Sequence, residues 1–360
     1  MAMLGAHSQL AVPEVTWLYP RFRPFIHTYG TLEFPENFRT LLSEMLFSLK
    51  CPFFGHQVNP RTIVDEVLEF ARERTFSGAF SAIMGWQAAR VGKARWGEKT
   101  PHNLFFLREI FADFPDARVL IMTRDGRDVV SSQISSCFGP THVVAGAVLW
   151  ARCVQETLAA QSQWAAEQLM VVPYEMLARE PEATLKKIAG FVGAEWESGM
   201  LQFHQTELAR HRAATVDHRS LGEPVHTRGI GIYREMLSLH EQRIFAAIAG
   251  KALSSMGYQS DVEPVAMDAH TVQTLLERDG RTRAALLDAP AGHICFESCS
   301  DWLADQRERR RLAGLWTGPP PPAPTFDDWP QEQILGYRAP AVFKKYFAIR
   351  RQYEQPDTVL

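Results

Sequence analysis

Ala117-Arg-Val-Leu-Ile-Met-Thr123, running directly into Arg124-Asp125-Gly126-Arg127-Asp128-Val129-Val130-Ser131-Ser132, is the stretch that decides the fold. A short apolar run closed by polar residues reads as a buried parallel strand. The charged, hydroxyl-bearing residues after it read as a loop opening a helix. A strand ending in a guanidinium beside a helix N-terminus offers an anion both charge and N–H donors. A salt-bridged strand end with a capped helix would look the same, so this stretch alone leaves both readings open.

Working outward, Leu169-Met-Val-Val-Pro173 reads as a second buried strand. Helical spacing recurs at Phe38, Leu41, Leu42 and Met45 and at Ile63, Val67, Leu68 and Ala71. Pro101 opens a further helix with Leu104, Leu107, Ile110 and Phe111 on one face. Strands alternating with helices predict an α/β fold, a parallel sheet flanked by helices. Ligands in such sheets sit at the carboxyl ends of the strands, which points to the loop after Thr123. A helix over 240–256 ends in Met256-Gly257-Tyr258, and the pattern then becomes irregular. Residues 1–258 therefore read as one α/β domain and 259–360 as an α-rich extension. Within the extension, Arg307-Glu308-Arg309-Arg310-Arg311 reads as a solvated helix face, and Pro319–Pro322 as a stiff linker.

The bulk properties narrow the class. With 360 residues, 46% hydrophobic, a sizeable core is available, and a net charge of -3 argues against broad nucleic-acid binding. The five cysteines (51, 137, 153, 295 and 299) lack paired CxxC spacing, so free thiols and no metal are expected. The first residues carry no basic segment before a long apolar run, and nothing approaches the roughly 18 uninterrupted apolar residues of a membrane span. A soluble cytoplasmic protein is the expectation.

Three further blocks accompany the strand-loop-helix. Gly97-Glu98-Lys99-Thr100-Pro101 precedes it by one helix. Val172-Pro173-Tyr174-Glu175-Met176-Leu177 follows the second strand and leads into Glu180-Pro181-Glu182. Thr227-Arg228-Gly229-Ile230-Gly231-Ile232-Tyr233-Arg234 comes later. In this order the blocks resemble the sulfotransferase superfamily that uses 3′-phosphoadenosine 5′-phosphosulfate, in particular its bacterial and tyrosylprotein branch. The resemblance covers roughly residues 3–258. It implies a P-loop-NTPase-like parallel sheet, 3′-phosphate binding by Arg124 and Ser132, adenine packing at Tyr174, and a contribution from Arg228 in the late basic loop.

It also implies a mechanism. Sulfuryl transfer needs a base for the acceptor hydroxyl and positive charge at the leaving phosphate. Lys99 resembles the family lysine that touches the leaving group. The stretch Ala6-His7-Ser8-Gln9-Leu10-Ala11-Val12-Pro13-Glu14-Val15-Thr16 resembles the segment that carries a catalytic glutamate in tyrosylprotein sulfotransferases, which makes Glu14 the candidate base. His7 and His102 are its rivals. The acceptor is a small molecule, a carbohydrate or a peptide, offering a hydroxyl or an amine.

The pattern breaks at the start. The family opens with a buried strand and a Gly-x-x-Arg-Ser-Gly-Thr-Thr loop that cradles the 5′-phosphosulfate, whereas Met1–His7 already resembles the helix after that loop. Loss of a central strand would expose the sheet. Either Met1 is an internal methionine of a longer reading frame, the favoured reading, or the chain is a relative that binds nucleotide or partners without transfer chemistry. A nucleotide kinase would need a glycine loop ending in Lys and Ser or Thr, which this sequence lacks.

Overall fold

The computed structural model of the chain describes residues 1–13, 15–49, 60–135, 139–213, 220–287 and 297–315. A short helix α1 (Ala2–Gly5) leads into strand β1 (Leu10–Ala11), and a helical layer follows: α2 (Leu18–Phe22), α3 (Pro35–Ser48), α4 (Pro60–Leu68) and α5 (Phe76–Arg90). Next come strand β2 (Arg95–Trp96), helix α6 (Leu107–Asp113), strand β3 (Val119–Thr123), α7 (Gly126–Ile134), the long α8 (Val143–Gln163) and strand β4 (Leu169–Pro173). Helices α9 (Tyr174–Arg179), α10 (Pro181–Phe191), α11 (Glu207–Ala213), α12 (Tyr233–Met236) and α13 (Leu239–Ser255) precede the extension, which holds α14 (Ala269–Leu287) and α15 (Glu297–Leu312).

The fold is α/β with parallel strands. The two strands expected from apolar runs are β3 and β4, paired in parallel with Val119 opposite Leu169 and Thr123 opposite Pro173. The other two, β1 and β2, are only two residues long and pair in parallel with each other. The strands thus form two separate pairs instead of one sheet. Polar clasps connect the pairs. Arg95, from β2, donates to the carbonyls of Gly193 (2.8 Å) and Val192 (2.6 Å) just beyond α10, and Arg118, beside β3, donates to Phe191 at its end. Cations suit a helix C-terminus, where carbonyls lack intrahelical partners.

Local chemistry explains where the helices begin. Thr75 caps α5 by accepting from the Gly78 N–H (2.9 Å). Ser238 and Glu241 form a reciprocal capping box at α13. Asp125 caps α7 by accepting from the Arg127 N–H (2.9 Å). Gly126, the first residue of α7, lies against Trp150 and Phe245. An added Cβ would come within 2.3 Å of the indole ring, so only glycine lets α7 approach α8 this closely. The helix predicted from Pro101 starts as 3-10 turns over Pro101–Phe106 before α6, and its predicted apolar face packs toward β3 and β4.

Helices α2–α5 share a core that includes Tyr19, Phe22, Phe38, Leu42, Met45 and Ile83. A second core joins α7, α8, α13 and α14 through Val130, Trp150, Phe245 and Leu275. Burying each such side chain is worth about 1.5–3 kcal/mol. Helix α8 is the one described helix long and apolar enough to cross a membrane (mean hydropathy 1.2), and half of that stretch is buried against this second core. Both helices of the extension pack on the rest of the chain. Asp279 of α14 accepts from the Thr141 N–H (2.7 Å) and hydroxyl (2.6 Å), and Leu303 of α15 is buried in the first core.

The arginine run read as a solvated face divides in two. Arg309 and Arg311 do face water, paired with Asp305 and Glu308. Arg310 instead turns inward onto Glu44, and Arg307 caps the Arg21 carbonyl (2.5 Å), because the spacing of three places both on the helix face that meets the core. Pro319–Pro322, Cys51, Cys137 and Cys295 lie outside the described residues. Cys153 is a free thiol.

Candidate active site

The loop after Thr123, where an anion site was expected, meets residues of the 172–177 and 227–234 blocks. At the end of β3, the Arg124 guanidinium lies over the Tyr174 ring, 4.7 Å from its centroid, and donates through Nη2 to the Gly229 carbonyl. Its Nε is buried and has no hydrogen-bond partner. A Cβ on Gly229 would come within 2.8 Å of the Tyr174 hydroxyl and 3.2 Å of Arg124 Nη2, so a larger residue here would push these two side-chain ends aside. A buried donor left unsatisfied costs free energy, which a bound anion would recover.

Carboxylates fix this arrangement. Asp128, fully buried, accepts from the Gly231 N–H (2.8 Å) and the Tyr233 N–H (3.0 Å), clasping the late glycine loop to the head of α7. Glu175 accepts from the Asp125 N–H (2.9 Å) and the Tyr258 hydroxyl (3.0 Å). Burial and the carboxylate partner push the Tyr258 phenol above its ordinary range, so it stays a donor. Arg127 pairs with Asp125 (2.7 Å) and stacks on the Tyr233 ring, 4.1 Å from its centroid.

The remaining candidates fall differently. Ser132 is exposed on α7, while its neighbour Ser131 turns inward to the Arg127 carbonyl (2.7 Å). Arg228 is largely exposed and pairs with Glu223 instead of approaching Arg124; the adjacent Gly229 makes that contact. Lys99 is exposed and close enough to the amino end of Met1 to repel its charge. Glu14 lies outside the described residues. Among the described residues no cluster of three or more His, Cys, Asp or Glu is placed to hold a metal ion.

Both rival bases are engaged in structure. His7 accepts the Gln9 N–H at Nδ1 (3.0 Å), so Nε2 carries the proton and donates to the Glu195 carbonyl (2.9 Å). His102 is buried with its ring 4.1 Å from that of Trp17, and burial takes its pKa from 6.5 down to about 3. Such a weakly basic imidazole is a poor proton acceptor at neutral pH. The sign of its effect on stability follows. As pH falls from 6.5 toward about 3, the unfolded chain binds a proton that the native one refuses. Stability therefore declines across that window, and His102→Phe should flatten the decline in urea midpoints measured over it.

Sequence reasoning missed Glu98, Asp128, Glu175 and Tyr258 as site-building groups. Their signal was positional: Glu98, Asp128 and Glu175 stand inside blocks already singled out, and Tyr258 closes the helix over 240–256. Glu98 accepts from the hydroxyls of Thr16 (2.8 Å) and Thr100 (2.6 Å) and from the Asn103 amide. Burial nevertheless raises its pKa above the ordinary glutamate value, against the lowering effect of those bonds.

Comparison with known proteins decides the family. The profile of the sulfotransferase family matches residues 1–198, more than half of the chain. The chain belongs to the sulfotransferase family. Protein-tyrosine sulfotransferase 1 of Danio rerio is 28% identical to this sulfotransferase over 180 residues, 46% of this chain and 49% of that protein. An uncharacterized protein of Aquifex aeolicus (strain VF5) is 26% identical over 117 residues, 31% of this chain and 15% of that one. The chain thus spans about half, or less, of the length of these relatives. Among solved structures, the sulfotransferase domain of the Synechococcus PCC 7002 olefin synthase superposes with a TM-score of 0.49 at 16% identity, covering 72% of this chain and 89% of that domain.

Proposed function

We propose that this sulfotransferase moves a sulfuryl group from 3′-phosphoadenosine 5′-phosphosulfate to an acceptor hydroxyl or amine, without a metal. One observation carries the choice of donor: Arg124, held over Tyr174 by Gly229, keeps a buried N–H without a partner where a nucleotide's 3′-phosphate would sit. The donor supplies a sulfur atom bonded to a phosphate oxygen that can leave. Arg124 would hold the 3′-phosphate, joined by Ser132 and Arg228 if the exposed side chains close over it. Tyr174 would flank the adenine. Lys99 would balance the charge that develops on the leaving phosphate, and Glu14 would take the acceptor's proton as its oxygen bonds to sulfur.

The acceptor class is a small molecule, a carbohydrate or a peptide. The name of the zebrafish relative makes a peptide tyrosine the first to try. The deciding experiment incubates the chain with the donor and a panel of tyrosine peptides, sugars and phenols, and reads sulfation by mass spectrometry. Donor binding with no transfer to any acceptor would select the non-catalytic nucleotide-binding reading. Failure to bind the donor would remove both.

A further inference from the structure

The loop after β1 and the loop after β2 are joined by one knot of hydrogen bonds. Glu98 Oε1 accepts from the Thr16 hydroxyl (2.8 Å), the Thr16 N–H (3.3 Å) and the Thr100 hydroxyl (2.6 Å). Thr100 Oγ1 in turn accepts from the backbone N–H groups of Thr16 (3.2 Å) and Trp17 (3.1 Å). On its other oxygen Glu98 holds Asn103. As the anion, Glu98 can accept from all of these donors, and its Thr100 contact orients that hydroxyl so its lone pairs face the two N–H groups.

What the knot restrains is strained. Trp17 is the one described non-glycine residue with a positive φ, 59°. A bulky side chain in that region costs about 1–3 kcal/mol and persists only where its surroundings impose it. The restraint falls at both sides of the proposed chemistry. Lys99 stands between Glu98 and Thr100 in the chain, and Thr16 follows Glu14 by two residues.

Resting on the proposed transfer reaction, we infer that Glu98 is a positioning residue, whose carboxylate, acting through Thr100, sets the segment at Thr16 and Trp17 against the loop that carries Lys99. It touches neither donor nor acceptor. Its role is to fix the spacing across which proton removal and leaving-group stabilisation must act together, a spacing to which transfer rates are steeply sensitive. Weak acid should loosen the knot first, since burial already favours the protonated form of Glu98.

The test compares the full chain with Glu98→Gln, Thr100→Val and Thr100→Ser. In Glu98→Gln the neutral amide accepts more weakly and must turn its donor end either to the Asn103 amide or to the Thr16 and Thr100 donors, and in Thr100→Val the acceptor of the two backbone N–H groups is gone. Amide hydrogen exchange of the peptide covering 15–18 should then quicken by about tenfold in both, the worth of one charge-assisted hydrogen bond. Peptides covering 124–134 and 229–234 should exchange as in the wild type, and Thr100→Ser should restore slow exchange. In transfer assays Glu98→Gln should lower kcat by about tenfold or more while leaving the donor KM within about twofold, the signature of misplaced groups and intact binding. Unchanged exchange at 15–18 overturns the clamp. Faster exchange with unchanged kcat overturns the positioning role. A wild-type chain that transfers nothing sinks the reading of the site itself, and the exchange comparison still judges the clamp separately.

Discussion

Arg124→Ala should weaken binding of adenosine 3′,5′-bisphosphate by about ten- to a hundredfold, as one or two charge-assisted hydrogen bonds are lost. Contacts within the chain orient the guanidinium: Tyr174 supports its face and the Gly229 carbonyl holds Nη2. Little ordering remains for a phosphate to induce, so the loss should appear mainly in affinity. Titration calorimetry with the bisphosphate and with adenosine 5′-monophosphate separates the explanations. A loss confined to the bisphosphate assigns Arg124 to the 3′-phosphate. An equal loss for both would mean the arginine acts by holding Gly229 and the late loop. The side chain is half-exposed and caps one carbonyl, so the urea midpoint should move little.

The part of this site that sequence disclosed is the part written in contiguous residues. Strand β3 and the head of α7 were legible because four apolar residues and a threonine end abruptly in Arg124 and the capping Asp125. Strands β1 and β2 were not, since two residues are too few to show an alternation or a run. Helices α2–α5 separate them in the chain, so their parallel pairing is a long-range contact. Nothing in the sequence around Lys99 marks Glu98 as an acceptor for distant groups. Only the folded chain brings Thr16, 82 residues away, against its carboxylate. Asp128 was likewise hidden, because its partners Gly231 and Tyr233 lie 103 and 105 residues on. Residue types suggested a basic anion site, whereas only tertiary contacts separate Arg124, which lies over Tyr174 against Gly229, from Arg228, which turns to Glu223.

Breaking the inward half of the tail's arginine run should produce a large stability loss. Glu44 is buried in the first core, where it accepts from the Tyr29 hydroxyl (2.5 Å) and both Nη atoms of Arg310, one at 3.2 Å and the other at 2.5 Å. Arg310 also donates through Nε to the Thr28 carbonyl (3.1 Å) and covers the Tyr29 ring, 4.3 Å from its centroid. Burial and the neighbouring carboxylate hold the Tyr29 phenol well above its ordinary pKa, so it remains protonated as a donor. Arg310→Met leaves the Glu44 charge in the core with one neutral donor, Tyr29, and only the field of the nearby Arg307 to offset it. Removing one partner of such a pair costs about 3–5 kcal/mol, and replacing both by apolar residues can cost little. Urea denaturation should therefore show a large drop for Arg310→Met and for Glu44→Ala. Glu44→Leu combined with Arg310→Met should recover most of it, a strong coupling between positions 266 residues apart. Additive losses would mean the two side chains do not meet in solution. The coupled result would make α15 an integral layer of the α2–α5 core, with its outer arginines, Arg309 and Arg311, left to solvent.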